Sequence, residues 1–223
     1  MSFAGFGPQA LNFLTALAFH QTKAWFDENR ALYESELKEP MGDLVEDLSA
    51  ALAKAKIPLR GDRKKAVFRI HRDTRFAKDK SPYKTNAGFV LNRDGTRNTG
   101  GMLYVHIDPK GCFTAAGWYS PEPETLVRLR AAIVKSPKAY RAAEDALAAK
   151  KLSFSDEWSL KRLPKGCEGI GDERIAAAVK RRGLVVRRDL SAKDIGSPRL
   201  IDTLVAFTRD AEPLLKFGWN ATG

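Results

Sequence analysis

The sequence predicts an α+β fold. It reads as a single domain over residues 1–223, in which an antiparallel sheet of about four or more strands packs against N-terminal and C-terminal helices. Apolar residues recur every three or four positions over 8–56 and again over 121–217, but alternate every second position over 66–119. No internal repeat or low-complexity linker interrupts these blocks. A strand cluster between helical blocks fits one layered domain.

The first helix follows Pro8, a favourable first-turn residue, and places Leu11, Leu14 and Leu17 at intervals of three. Phe26, Tyr33 and Leu37 line one face of a second helix, with Trp25 beside them. Leu44, Leu48 and Leu52 then recur every four residues. Pro40 must kink or divide this region, because it lacks the N–H that a helix interior requires. "KIPLRGD" ends the helical block. In "AVFRIHR", Phe68 and Ile70 alternate with Arg69 and His71, as in a half-buried strand. "TNAGFVL", "MLYVHID" and "CFTAAGWY" supply three further strands, and Asp108-Pro109-Lys110-Gly111 is a tight turn between the last two. Local adjacency makes this a meander. Ser120-Pro121 opens a helix lined by Leu126, Leu129 and Ile133, with Glu122 and Glu124 early and Lys135 late, as the helix dipole favours. A further helix follows Pro137. "DERIAAAVKRRG" reads as a short helix, "LVVRR" as a candidate strand and "SPRLIDTLVAFTRDAEPLLKFG" as the terminal helix.

At 43% apolar and 29% charged, the chain has a globular composition. No apolar run reaches the roughly 18 residues of a membrane span, and the N-terminus lacks the basic start of a secretory signal. Cys112 and Cys167 have no C-x-x-C spacing, which argues against a disulfide framework or zinc site and for a reducing cytoplasm. The net charge of +11 is concentrated: residues 60–84 hold ten Lys or Arg against three Asp. Charge gathered in this way favours anionic partners. A second basic group, Lys180, Arg181, Arg182, Arg187 and Arg188, reads as an exposed helix end and strand edge.

Two blocks carry a family resemblance. One is "NFLTALAFHQTKAWFDENRALYESELKEP". The other is "FRIHRDTRFAKDKSPYKTNAGFVL", continuing through "YVHIDPKG" and "GWYSPEPETL". With "LKRLPKG" and "AEPLLKF", these resemble domain-of-unknown-function family 2461 over nearly the whole chain. The joint R-D-x-R-F-x-K-D-K-x-P-Y-K pattern is its most specific part. "HQTKA" stands where family members usually place asparagines. The resemblance supports the architecture and implies no activity, cofactor or substrate.

The basic stretch supplies the candidate ligand contacts. Arg69, Arg72 and Arg75 offer planar forks suited to phosphate or carboxylate, and Lys78, Lys80 and Lys84 supply less directional charge. Tyr83 is placed to stack on a base or donate its hydroxyl. The same residues could instead form internal ion pairs, but surface pairs contribute only about 0–1 kcal/mol. The leading expectation is therefore binding of a phosphate-bearing ligand, either nucleic acid or a metabolite. An enzyme using His71 or His106 as acid or base, with Asp73 as orienter, is the alternative. A protein-interaction module is the third reading, with its partner open. The histidines lack metal-ligand spacing, and "GCEGIGDE" lacks the G-K-[ST] of a phosphate loop, so neither metal nor cofactor is indicated. Tyr104, His106 and Asp108 are expected on one strand face, joined there by Arg69 and His71.

Overall fold

A computed structural model describes residues 2–96, 100–156 and 158–223. It has the expected α+β architecture, with a four-stranded antiparallel sheet in the order β1-β2-β3-β4. The strands are β1 (Ala87–Leu91), β2 (Met102–Ile107), β3 (Cys112–Trp118) and β4 (Leu184–Leu190). In sequence order the helices are α1 (Gln9–Phe19), α2 (Lys23–Glu28), α3 (Arg30–Tyr33), α4 (Glu39–Lys54), α5 (Pro123–Lys135), α6 (Pro137–Ala149), α7 (Glu173–Lys180), α8 (Ala192–Ile195) and α9 (Leu200–Thr222). Among the described residues, no helix is long and apolar enough to cross a membrane.

The sheet differs from the expected meander in one strand. "AVFRIHR" does not form a regular strand of the sheet, and the fourth strand is instead the segment beginning "LVVRR". Residues 66–72 do pair antiparallel with 82–90, but in two pieces. Phe68 N–H donates to Gly88 O (2.9 Å) and Val90 N–H to Ala66 O (3.2 Å). Farther out, Lys84 N–H donates to Ile70 O (2.8 Å) and Arg72 N–H to Pro82 O (2.8 Å). Advancing two residues on one side, from 68 to 70, consumes four on the other, from 88 to 84. The extra residues form a bulge, which breaks the ladder. Residues 73–81 are thus the tip of an irregular hairpin.

The chain forms two compact units. The first comprises Met1–Thr99, Leu103–Thr114 and Asp189–Ala206. Its core joins Phe13, Leu14 and Leu17 of α1 with Phe26, Leu37, Leu44, Leu48, Phe89, Val105 and Ile107. Between α3 and α4 the backbone widens into a π-helical turn, Glu34–Lys38, and Pro40 falls in the first turn of α4. The helical path passes Pro40 through this altered turn, which accommodates the missing N–H. β1 and β2 pair with Gly88 opposite His106 and Val90 opposite Tyr104. Leu103, Val105 and Ile107 are buried on one face of β2, while Tyr104 and His106 are half-buried on the other.

The second unit comprises Gly100–Met102, Ala115–Arg188 and Phe207–Gly223. Trp118, Leu129, Ile133, Tyr140, Leu147, Val179, Val186 and Phe207 are buried in it. Asp172 caps α7 by accepting from Ile175 N–H at 3.1 Å. Gly117, at φ +128°, lets the Leu184 carbonyl approach so closely that a Cβ there would lie 2.0 Å from its oxygen.

Candidate functional site

The hairpin tip is shaped by its own carboxylates. Asp73 accepts from Arg75 Nε (3.0 Å) and from its terminal guanidinium nitrogen (2.7 Å), a bidentate grip, and also from Arg75 N–H at 3.2 Å. Asp79 pairs with Arg72 and accepts from the Ser81 backbone N–H (2.9 Å) and hydroxyl (2.6 Å). Lys80 Nζ donates to Thr74 O at 3.0 Å, closing the loop across itself. The Ser81 hydroxyl, then Arg72, hold the Asp79 carboxyl well below the usual carboxylate range. Arg75 does the same to Asp73.

Tyr83 takes a different place from the one expected of a ligand contact. It is buried, its ring stacks on Phe26 at 4.4 Å, and its N–H donates to Gln21 Oε1 at 3.0 Å. It therefore seats the base of the hairpin on α2, and its ring face is not open to a base. Gln21, within the "HQTKA" segment, supplies the polar end of that anchor. His71 faces the same aromatic group, with ring centroids 5.8 Å from Phe26 and 5.2 Å from Tyr83. Lys84 Nζ lies over the Phe68 ring at 5.4 Å. Arg69 and Lys78 are exposed.

Sequence reasoning passed over Phe76. Its side chain is 95% exposed at the hairpin tip, beside Arg75, whose guanidinium lies 5.9 Å from the ring centroid. The available signal was an aromatic residue set among charges with no apolar partner at strand or helix spacing.

A second polar group stands on β2. Tyr104 Oη lies 2.7 Å from His106 Nδ1, and His106 Nε2 lies 3.5 Å from Asp108 Oδ2. Asp108 Oδ1 accepts from Lys110 N–H at 2.8 Å, which fixes the carboxylate in the turn before β3. Phe113 stacks on His106 at 4.6 Å, and Phe68 meets Tyr104 edge-on at 6.2 Å. The expected gathering of Arg69, His71, Tyr104 and His106 forms only in part. Tyr104 and His106 meet each other, whereas the Phe26 and Tyr83 rings flank His71, and Asp73 is engaged with Arg75. Among the described residues, no group of three or more His, Cys, Asp or Glu could hold a metal ion.

Residues 9–217 match the model of a family described as conserved hypothetical proteins, DUF2461. No curated protein and no solved structure matches the chain. The chain belongs to that family.

Proposed function

We propose that this member of the family binds a phosphate-bearing ligand at the hairpin tip, and that nucleic acid with accessible bases is the ligand class the tip fits best. The observation that carries the reading is Phe76, an almost fully exposed ring on a loop in which six Lys or Arg face two Asp over residues 69–84. An exposed phenylalanine adds nothing to a core, but it provides a stacking platform for a base, worth about 1–3 kcal/mol. The cations around it attract the backbone, and the Asp73 and Asp79 clips hold the loop in shape before a ligand arrives, which lowers the entropy lost on binding. Arg69, Lys78 and Lys84 supply charge beyond the clipped Arg72, Arg75 and Lys80, while Tyr83 acts beneath the loop as its anchor.

Titration of fluorescently labelled single- and double-stranded oligonucleotides at several salt concentrations tests this. Wild type should bind single strands more tightly, with affinity falling steeply as salt rises. Phe76→Ala should weaken single-strand binding by roughly tenfold, the lower half of the stacking range. Arg69→Ala/Lys78→Ala, which leaves both carboxylate clips in place, should reduce the salt slope by about one for each phosphate that is no longer neutralised. Absence of binding even at low salt, or full retention in both variants, would overturn the reading.

A further inference from the structure

The Tyr104–His106–Asp108 group on β2 lies apart from the hairpin clips, and its order has a chemical consequence. His106 Nε2 faces the Asp108 carboxylate at 3.5 Å, longer than a hydrogen bond, and carboxylate oxygens beside that nitrogen favour the tautomer with the hydrogen on Nε2. Nδ1 is then the lone-pair nitrogen, and the Tyr104 hydroxyl 2.7 Å away donates to it. The imidazole is poised to take the phenolic proton, with the carboxylate behind it to stabilise the resulting imidazolium. This is the nucleophile–base–orienter arrangement, here with a phenol as nucleophile.

The fold holds the three groups in line. They occupy alternate positions of one strand and its turn, so all point from the same face while Val105 and Ile107 fill the core on the other. Phe113 fixes the plane of the imidazole by stacking, and Lys110 N–H fixes Asp108. Across the ladder, residue 88 pairs with His106 and is glycine. A Cβ there would stand 3.0 Å from Tyr104 Oη and 2.7 Å from the Val105 carbonyl oxygen, closer than a side chain tolerates, so glycine lets the Tyr104 phenol lie directly against the β1 backbone, which helps to fix its direction. The side chains of His106 and Asp108 are 16% and 14% exposed, so both are largely sheltered from water.

We infer that Tyr104 is a nucleophile, with His106 as its general base and Asp108 as the residue that positions the imidazole. A phosphoester is the substrate class that fits, because Lys84 brings a cation over Phe68, the ring that abuts Tyr104. In the transfer step Tyr104 Oη forms a bond to phosphorus, the bond from phosphorus to the leaving oxygen breaks, and the phenolic proton passes to His106 Nδ1. The leaving group departs with the electron pair of the broken bond and takes up that proton or one from water. Hydrolysis of the phosphotyrosine by water then restores the phenol. The assignment of the nucleophile does not depend on the reading of the hairpin tip, whereas the substrate class shares Lys84 with it.

An aryl sulfonyl fluoride followed by peptide mapping tests the nucleophile. Tyr119 is an internal control, being 78% exposed. Tyr104 should be sulfonylated faster than Tyr119, and His106→Gln should slow Tyr104 alone by at least about tenfold. Faster labelling of Tyr119, or no effect of His106→Gln in a variant with wild-type circular dichroism, would overturn the assignment. Nitrogen NMR of the wild-type protein supplies a second check: His106 should show a protonated Nε2 and an unprotonated, hydrogen-bonded Nδ1 at neutral pH. The reverse tautomer would sink the proposal without recourse to any variant. Release of 4-nitrophenolate from bis(4-nitrophenyl) phosphate, abolished by Tyr104→Phe, is expected for a phosphoester site. Tyr104 labelling without that release would overturn the substrate class.

Discussion

Arg181 belongs to the run "KRRGLVVRR", which reads as exposed charge, yet its side chain is only 8% exposed. Its guanidinium donates to the Tyr140 hydroxyl at 2.6 Å and to Asp156 at 2.7 Å, approaches Glu144 at 3.4 Å, and lies 4.6 Å from the Phe154 ring centroid. Burial pushes the Tyr140 phenol above its ordinary range, so it stays protonated and donates onward to Glu144 at 3.2 Å. Removing the cation leaves the buried Tyr140 hydroxyl without its donor, while Glu144 keeps its pair with Arg174 at 2.7 Å. Arg181→Ala should therefore destabilise the fold by about 2–4 kcal/mol, at the low end of broken buried pairs because Asp156 remains 60% exposed to water. Tyr140→Phe, which removes one hydroxyl and keeps the ring, should cost about 1–2 kcal/mol. Urea denaturation measures both. A loss below about 0.5 kcal/mol for Arg181→Ala would show that the network is ordinary surface pairing. Nothing in the sequence reveals this role, because Tyr140, Glu144 and Asp156 precede Arg181 by 25 to 41 residues and only the fold brings them to it.

Elements were legible wherever period alone decides them. The repeat of Leu44, Leu48 and Leu52 marks the buried stripe of α4, and the alternation in "MLYVHI" gives both the strand and its faces. The hairpin was half legible. Its arms alternate as strands do, but alternation does not fix register, and the bulge near Thr85-Asn86 moves the pairing of 70–72 relative to 66–68. β4 was weakly marked because "RRD" occupies much of a seven-residue strand. The charges of the tip were legible, but not which of them its own carboxylates would claim. Those clips predict a pH response. A carboxylate whose folded-state pKa is depressed contributes stability that is present above its unfolded value and lost as pH falls through the folded value. The clips of Asp73 and Asp79 should therefore stay closed from neutral pH down to about 4, where an unpaired aspartate titrates, and open only in stronger acid. The amide signals of Arg75 and Ser81, whose N–H groups donate to these carboxylates, report the titration directly. Inflections at the ordinary aspartate position would mean that the clips do not form in solution, and the tip would lose its preorganisation.

At the scale of the whole molecule, the expectation of one domain over residues 1–223 carries its own test. The chain passes between the two compact units within single elements: β2, β3, β4 and α9 each have residues assigned to both. Neither unit thus owns a complete set of strands, and losing the backbone pairing of a shared strand leaves polar groups unsatisfied in both. Such sharing favours one cooperative transition, whereas units with their own complete elements can unfold separately. The residue distribution offers separate reporters. His20, His71 and His106 all lie in the first unit, while Trp118 and Trp219 are buried in the second. In a urea titration followed by NMR, the histidine ring signals and the indole signals of Trp118 and Trp219 should disappear over the same concentration range, together with the far-ultraviolet circular dichroism. If the histidine signals change at one midpoint and the indoles at another, the shared elements do not couple the units. The chain would then be two folding units rather than the one its periodicities suggest.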